Sequence, residues 1–110
     1  MTEGDCFEAN ANYIIDILFK HKDDRKILKN YRLCHGTVIG AKGSKVEGKE
    51  FPHAWVEVGG DVILDFSNGK QVGGRIEEVE HRIKKESVKR YTPKQTARML
   101  LEHEHYGPWE

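Results

Sequence analysis

His53-Ala54-Trp55-Val56-Glu57-Val58-Gly59-Gly60-Asp61-Val62-Ile63-Leu64-Asp65-Phe66 contains two short runs rich in β-branched and aromatic residues around a glycine pair. Glycine reaches positive φ without a Cβ clash, so the pattern predicts a β-hairpin with Gly59-Gly60 as a two-residue turn. Counting outward, Val58 pairs near Asp61, Glu57 near Val62, Val56 near Ile63, Trp55 near Leu64 and Ala54 near Asp65. His53 is then the diagonal neighbour of Asp65, one residue off, a shift that a bulge or a different turn absorbs.

Upstream, Tyr31–Ile39 reads as a strand ending at Gly40, followed by a polar loop through Gly43, Ser44 and Gly48. Lys20–Lys29 reads as a helix end and loop. From Asp5 to about Lys20, Phe7, Tyr13, Ile14, Ile17 and Leu18 recur near helical spacing, with Asp5 as the side-chain cap. Downstream, Ser67-Asn68-Gly69 closes the hairpin and Gly73-Gly74 starts another loop. Ile76, Val79 and Ile83 predict a short amphipathic helix to about Lys85. Ser87–Tyr91 reads as an edge strand. Thr92-Pro93-Lys94-Gln95 carries a capping box with proline at the first helical position, opening a helix to about His103. Tyr106 and Trp109 in the tail are costly to expose together, so the tail is expected to dock, on its own domain or on a second copy of the chain. The fold class is α+β: an N-terminal helix carrying Cys6 packs on a small antiparallel sheet, with a C-terminal helix, in one domain over residues 1–110.

The chain has 110 residues, 37% hydrophobic and 33% charged, enough for one modest core under a well-solvated surface. Its 18 basic and 18 acidic residues give no net field to hold nucleic acid or an anionic membrane. The basic residues from Arg82 to Lys89 alternate with or adjoin glutamates, and they read as a solvated face. Met1–Asp5 has neither the basic start nor the apolar run of a secretory signal, and no stretch approaches membrane-spanning length. With 2 cysteines in different elements, a disulfide framework is not expected, and a reducing cytoplasmic compartment is.

Three residues have the chemistry of a nucleophilic site. Cys6 stands at a helix start, where free N–H groups and the helix dipole favour thiolate over thiol. A carboxylate on one nitrogen of His53 leaves the other facing the thiol, a role that suits Asp65. The plainer reading makes Cys6 a small core residue, His53 a strand-end histidine and Asp65 a turn carboxylate. Asn68 is an alternative orienting group, and Trp55 a packing residue or an aromatic wall for an acyl substrate. Cys34-His35 invites zinc, but no Cys-x-x-Cys or His-x-x-x-His pair accompanies it, and adjacent strand residues face opposite ways. His103 and His105 read as a solvated helix end rather than a metal site. No metal or other cofactor is implied.

Gly4-Asp5-Cys6, Ala9, His53-Ala54-Trp55-Val56-Glu57-Val58 and Leu64-Asp65 together resemble the transglutaminase-like core, a papain-like fold, over about residues 4–66. The resemblance implies Cys6 as nucleophile, His53 as general base and acid, and Asp65 as the residue that orients His53. The implied activity is cysteine-dependent acyl transfer on an amide or isopeptide bond. Water as acceptor makes it a peptidase, amidase or deamidase; an amine makes it a transglutaminase. The substrate is then a peptide, a protein or a small amide, and the chain a monomer or homodimer. The rival is a non-catalytic binding or regulatory module on the same fold.

Overall fold

The computed structural model describes residues 5–67 and 71–109. Helix α1 (Cys6–Lys20) leads through a one-turn helix α2 (Arg25–Leu28) to strands β1 (Tyr31–Ile39), β2 (Glu50–Val58), β3 (Val62–Asp65) and β4 (Val72–Arg75). A one-turn helix α3 (Ile76–Val79), strand β5 (Lys89–Tyr91) and helix α4 (Pro93–His103) complete the order. The five strands form an antiparallel sheet in the order β4-β3-β2-β1-β5. The architecture is therefore α+β, with the N-terminal helix on an antiparallel sheet and a helix at the C-terminal end.

Strands β1 and β2 pair from Tyr31 with Val58 to Ile39 with Glu50, and alternation divides their side chains between two faces. Leu33 and Val56 share one face with Ala11 and Ile14 of α1 and with Trp109, and this is the core cluster. The buried residues of α1 are Cys6, Asn10, Ala11 and Ile14, a stripe at helical spacing. On the opposite face, Cys34 lies beside Trp55 and Gly36 beside His53. A Cβ on Gly36 would come within 3.0 Å of the Trp55 ring, so the indole lies close over β1.

The start of α1 differs from expectation. Asp5 makes no side-chain cap hydrogen bond; its backbone carbonyl accepts the Ala9 N–H at 2.8 Å. The Lys20–Lys29 segment, expected as helix end and loop, contains α2. Its first N–H groups are capped by the Asp24 carboxylate, from Lys26 at 3.1 Å and Ile27 at 3.2 Å.

The hairpin forms, with a register shifted by one. Val58 pairs with Val62, Glu57 with Ile63 and Val56 with Leu64, so the turn holds Gly59, Gly60 and Asp61. Both glycines are left-handed, at φ +66° and +85°. The shift decides a face: pairing Ala54 with Asp65 would turn Asp65 toward the core, whereas the observed register turns it to the side of Trp55 and His53. Strand β2 also begins at Glu50, earlier than expected. It carries Pro52 outside the Val56–Val58 stretch that pairs with β3.

Two further expectations are corrected. Gly73-Gly74 lies within β4, paired with Leu64 and Ile63, rather than opening a loop. At Gly73 a Cβ would sit 3.1 Å from Leu64 Cδ2, so the strand closes on its neighbour through missing side chains. Ile76–Lys85 is not one helix: α3 gives way to 3-10 turns at Glu80–Arg82 and Lys85–Ser87. Between them, Ile83 bridges Val38 and the Lys84 N–H donates to the Thr37 carbonyl at 3.0 Å. Strand β1 takes the backbone donor that a longer helix would have used.

Helix α4 follows its sequence signal. The Thr92 hydroxyl accepts the Gln95 N–H at 3.1 Å, and the Gln95 side-chain oxygen accepts the Thr92 N–H at 2.9 Å. The tail docks on its own chain through Trp109, which is 5% exposed; Tyr106 is 37% exposed. The Trp109 ring packs on His35 and Tyr91 at 4.8 and 5.1 Å between centroids, and its indole N–H donates to the His105 carbonyl at 2.7 Å. Among the described residues, no helix is long and apolar enough to cross a membrane.

Candidate functional site

His53 stands on β2 and Asp65 ends β3 on the same face of the sheet, and their side chains meet. His53 Nε2 lies 2.8 Å from Asp65 Oδ2, with 24% and 29% of the two side chains exposed. The other carboxylate oxygen accepts from the Ser67 N–H at 3.0 Å, the Ser67 hydroxyl, and the Asn10 amide at 3.1 Å. Burial pushes the Asp65 pKa up, but the hydrogen bonds from His53, Ser67 and Asn10, together with the imidazolium charge, hold it well below the usual carboxylate range.

Burial acts to lower the His53 pKa. It is outweighed by the hydrogen bond to Asp65, then by the hydrogen bond and charge of Cys6, and the imidazole is pushed up to about 9. The Cys6 thiol and the Asp65 carboxylate thus act on one ring. Asp65 holds Nε2, which leaves Nδ1 to any other partner. Cys6 is the first residue of α1 and is 4% exposed.

Asn10 holds this group together. It is fully buried, and its side-chain NH₂ reaches the Cys6 carbonyl at 2.8 Å, the Ala54 carbonyl at 3.1 Å and Asp65 Oδ1 at 3.1 Å. Its carbonyl oxygen accepts the Phe66 N–H at 3.1 Å. One amide thereby ties the first turn of α1 to β2 and to the end of β3. Sequence reasoning gave Asn10 no role. The available signal was its position one turn after Cys6, on the face that α1 buries.

Trp55 forms a wall beside the pair, its ring 6.3 Å from that of His53 at an interplanar angle of 23°. The Trp55 indole N–H donates to Glu57 at 3.1 Å, and Glu57, 5% exposed, is paired with Arg90 at 2.9 and 3.3 Å. Cys34 is fully buried, and burial and the neighbouring Glu57 carboxylate drive its pKa far above the ordinary thiol value. Cys34 and His35 face opposite sides of β1, opposite Trp55 and Ala54 respectively. Among the described residues, no three histidine, cysteine or acidic side chains gather as metal ligands. His103 and His105 lie 5.8 Å apart between ring centroids, in and just beyond the end of α4. Asn68 lies outside the described residues.

A cleft of about 220 Å³ opens on this face, lined by His53 and Asp65 and walled by Trp55, Phe51, Ile63 and Ile83. A larger groove of about 460 Å³ between α1 and α4 is lined by neither His53 nor Asp65. Comparison of the chain with protein-family models, with curated proteins and with solved structures finds no match.

Proposed function

We propose that the chain is a cysteine-dependent acyl-transfer enzyme of the papain-like, transglutaminase-like kind, acting on an amide or isopeptide bond. The observation that carries this reading is the 2.8 Å contact of His53 Nε2 with Asp65 Oδ2, set against the start of α1 by the one Asn10 amide that reaches both Asp65 and the Cys6 carbonyl.

The chemistry follows from those three groups. The Cys6 sulfur attacks the substrate carbonyl carbon while the developing oxyanion is held by the backbone N–H of Cys6 at the start of α1. Protonated His53 gives its proton to the leaving amine as the C–N bond breaks, and a thioester on Cys6 remains. Water or an amine then adds to the thioester, His53 takes its proton, and the sulfur departs. Asp65 keeps the imidazole oriented and stabilises its cationic form. A free thiol is needed throughout, which fits a reducing compartment such as the cytoplasm.

Alkylation by iodoacetamide tests the nucleophile, with labelling sites read by mass spectrometry. Cys6 and Cys34 are 4% and 0% exposed, so a large rate difference reports activation more than access. Cys6 is expected to label much faster than Cys34, and more slowly in His53→Ala and Asp65→Asn. Equal, slow labelling of both cysteines in all three proteins would sink the catalytic reading. The burial of Cys6 favours the second reading, a binding module that keeps the site without turnover.

A further inference from the structure

We infer that the cleft beside His53 and Asp65 seats an apolar side chain of a substrate that also carries a carboxylate, with Arg82 as the partner of that carboxylate. The inference rests on the proposed function and names its substrate class.

Size comes first. At about 220 Å³ the cleft is smaller than the ~300–1,000 Å³ of pockets that enclose a whole drug-sized ligand, so it suits a single side chain or short acyl group. Its walls are apolar: Trp55 and Phe51 from β2, Val38 from β1, Ile63 from β3, and Val79 and Ile83 beyond β4. A hydrocarbon group placed there withdraws apolar surface from water.

Charge then narrows the class. Arg82 lines the cleft, is half-buried, and forms an ion pair with no carboxylate among the described residues. The one acidic residue among the lining residues is Asp65, whose oxygens are taken by His53, Ser67 and Asn10. The cleft therefore presents an unspent guanidinium beside an apolar wall. A planar fork of N–H donors matches a carboxylate in two parallel hydrogen bonds, and low-dielectric walls strengthen the attraction. A lone guanidinium suits one carboxylate better than a polyphosphate. The mouth is also shaped by an absent side chain: Gly74, opposite Ile63, faces the cleft, and the nearest atom to a Cβ there is Glu78 Oε1 at 3.4 Å. A larger residue at 74 therefore fills the cleft while the backbone keeps its place.

The probes are N-acetyl-leucine and its neutral counterpart N-acetyl-leucinamide, titrated by calorimetry into the Cys6→Ser protein, where binding is read without turnover. The acid is expected to bind about tenfold or more tightly than the amide, the usual worth of a hydrogen bond to a charged group. Arg82→Gln is expected to erase that preference, and Gly74→Val to weaken both ligands. Equal affinity for acid and amide, or a preference that survives Arg82→Gln, overturns the inference. Iodoacetamide labelling of the unsubstituted protein separates the two readings. Fast labelling of Cys6 with no ligand preference removes the cleft and leaves the nucleophile. The preference together with slow labelling removes the nucleophile and leaves the cleft.

Discussion

At the scale of single residues, the proposed acyl transfer turns on how strongly His53 holds its proton. An imidazole titrating near 9 rather than 6.5 stays cationic at neutral pH, ready to protonate a leaving amine. Because the folded value lies above the unfolded one, this proton stabilises the fold fully below pH 6.5, and the contribution is lost as pH rises through about 9. The proposed acyl transfer, which needs protonated His53, is expected to fall in the same upper range. For Asp65 the sign is reversed: its depressed pKa contributes stability above the ordinary value of 3.8, lost as pH falls through the folded value. Asp65→Asn removes the largest influence raising the His53 pKa, so the His53 titration midpoint, followed by its ring-proton NMR signal, is expected to move down from about 9. A wild-type midpoint near 6.5, unchanged by Asp65→Asn, would show that the contact carries no coupling.

At the scale of elements, the site depends on how α1, β2 and β3 are joined. The turn of Gly59, Gly60 and Asp61 sets the register that turns Asp65 to the face of His53. Asn10 then joins the helix to both strands through hydrogen bonds to the Ala54 carbonyl, the Asp65 carboxylate and the Phe66 N–H. Asn10→Ala leaves these groups without that partner and is expected to cost about 1–3 kcal/mol for each one left unsatisfied. Chemical denaturation measures the loss, and the His53 titration shows whether the site loosens with it. Stability within a few tenths of a kcal/mol of wild type would mean that water replaces the amide without penalty. Asn10→Asp tests the same joint by placing a second carboxylate against Asp65, and is expected to be more damaging than its size suggests.

At the scale of the whole molecule, the last residues close the core. Trp109 joins Ala11, Ile14, Leu33 and Val56 in the core cluster and lies tilted against His35, so the C-terminal tail is part of the hydrophobic cluster. Gly107 allows the approach: at φ +115° it passes His35 so closely that a Cβ would lie 2.6 Å from the ring. Trp109→Ala is expected to cost about 3–5 kcal/mol, the usual range for emptying a buried aromatic site. Against a typical total of about 5–15 kcal/mol, that is a large share, and urea unfolding reads it directly. A loss below about 1 kcal/mol would show that the tail rests on the surface, since a buried aromatic side chain cannot be deleted so cheaply.

Local chemistry made much of this legible. The Thr92–Gln95 capping box with Pro93 and the apolar periodicity of α1 each act over a few residues and form where the sequence places them; the glycine pair at 59–60 gives the hairpin, in a turn of three residues rather than two. The residue types of Cys6, His53 and Asp65 were equally plain, because a thiol, an imidazole and a carboxylate are recognisable wherever they stand. Tertiary structure decided the rest. Hairpin register depends on whether the turn holds two residues or three, and the glycine pair fits either, so the face of Asp65 shows only in the pairing of β2 with β3. Gly73-Gly74 became a strand because β3 offered a partner at close range, and Ile76–Lys85 broke because β1 captured its backbone at Val38 and Thr37. For Asn10 the sequence offered only its place one turn after Cys6, since a side chain's partners depend on residues far along the chain. Single residues specify their own donors, acceptors and preferred dihedrals; only packing determines which of those groups meet.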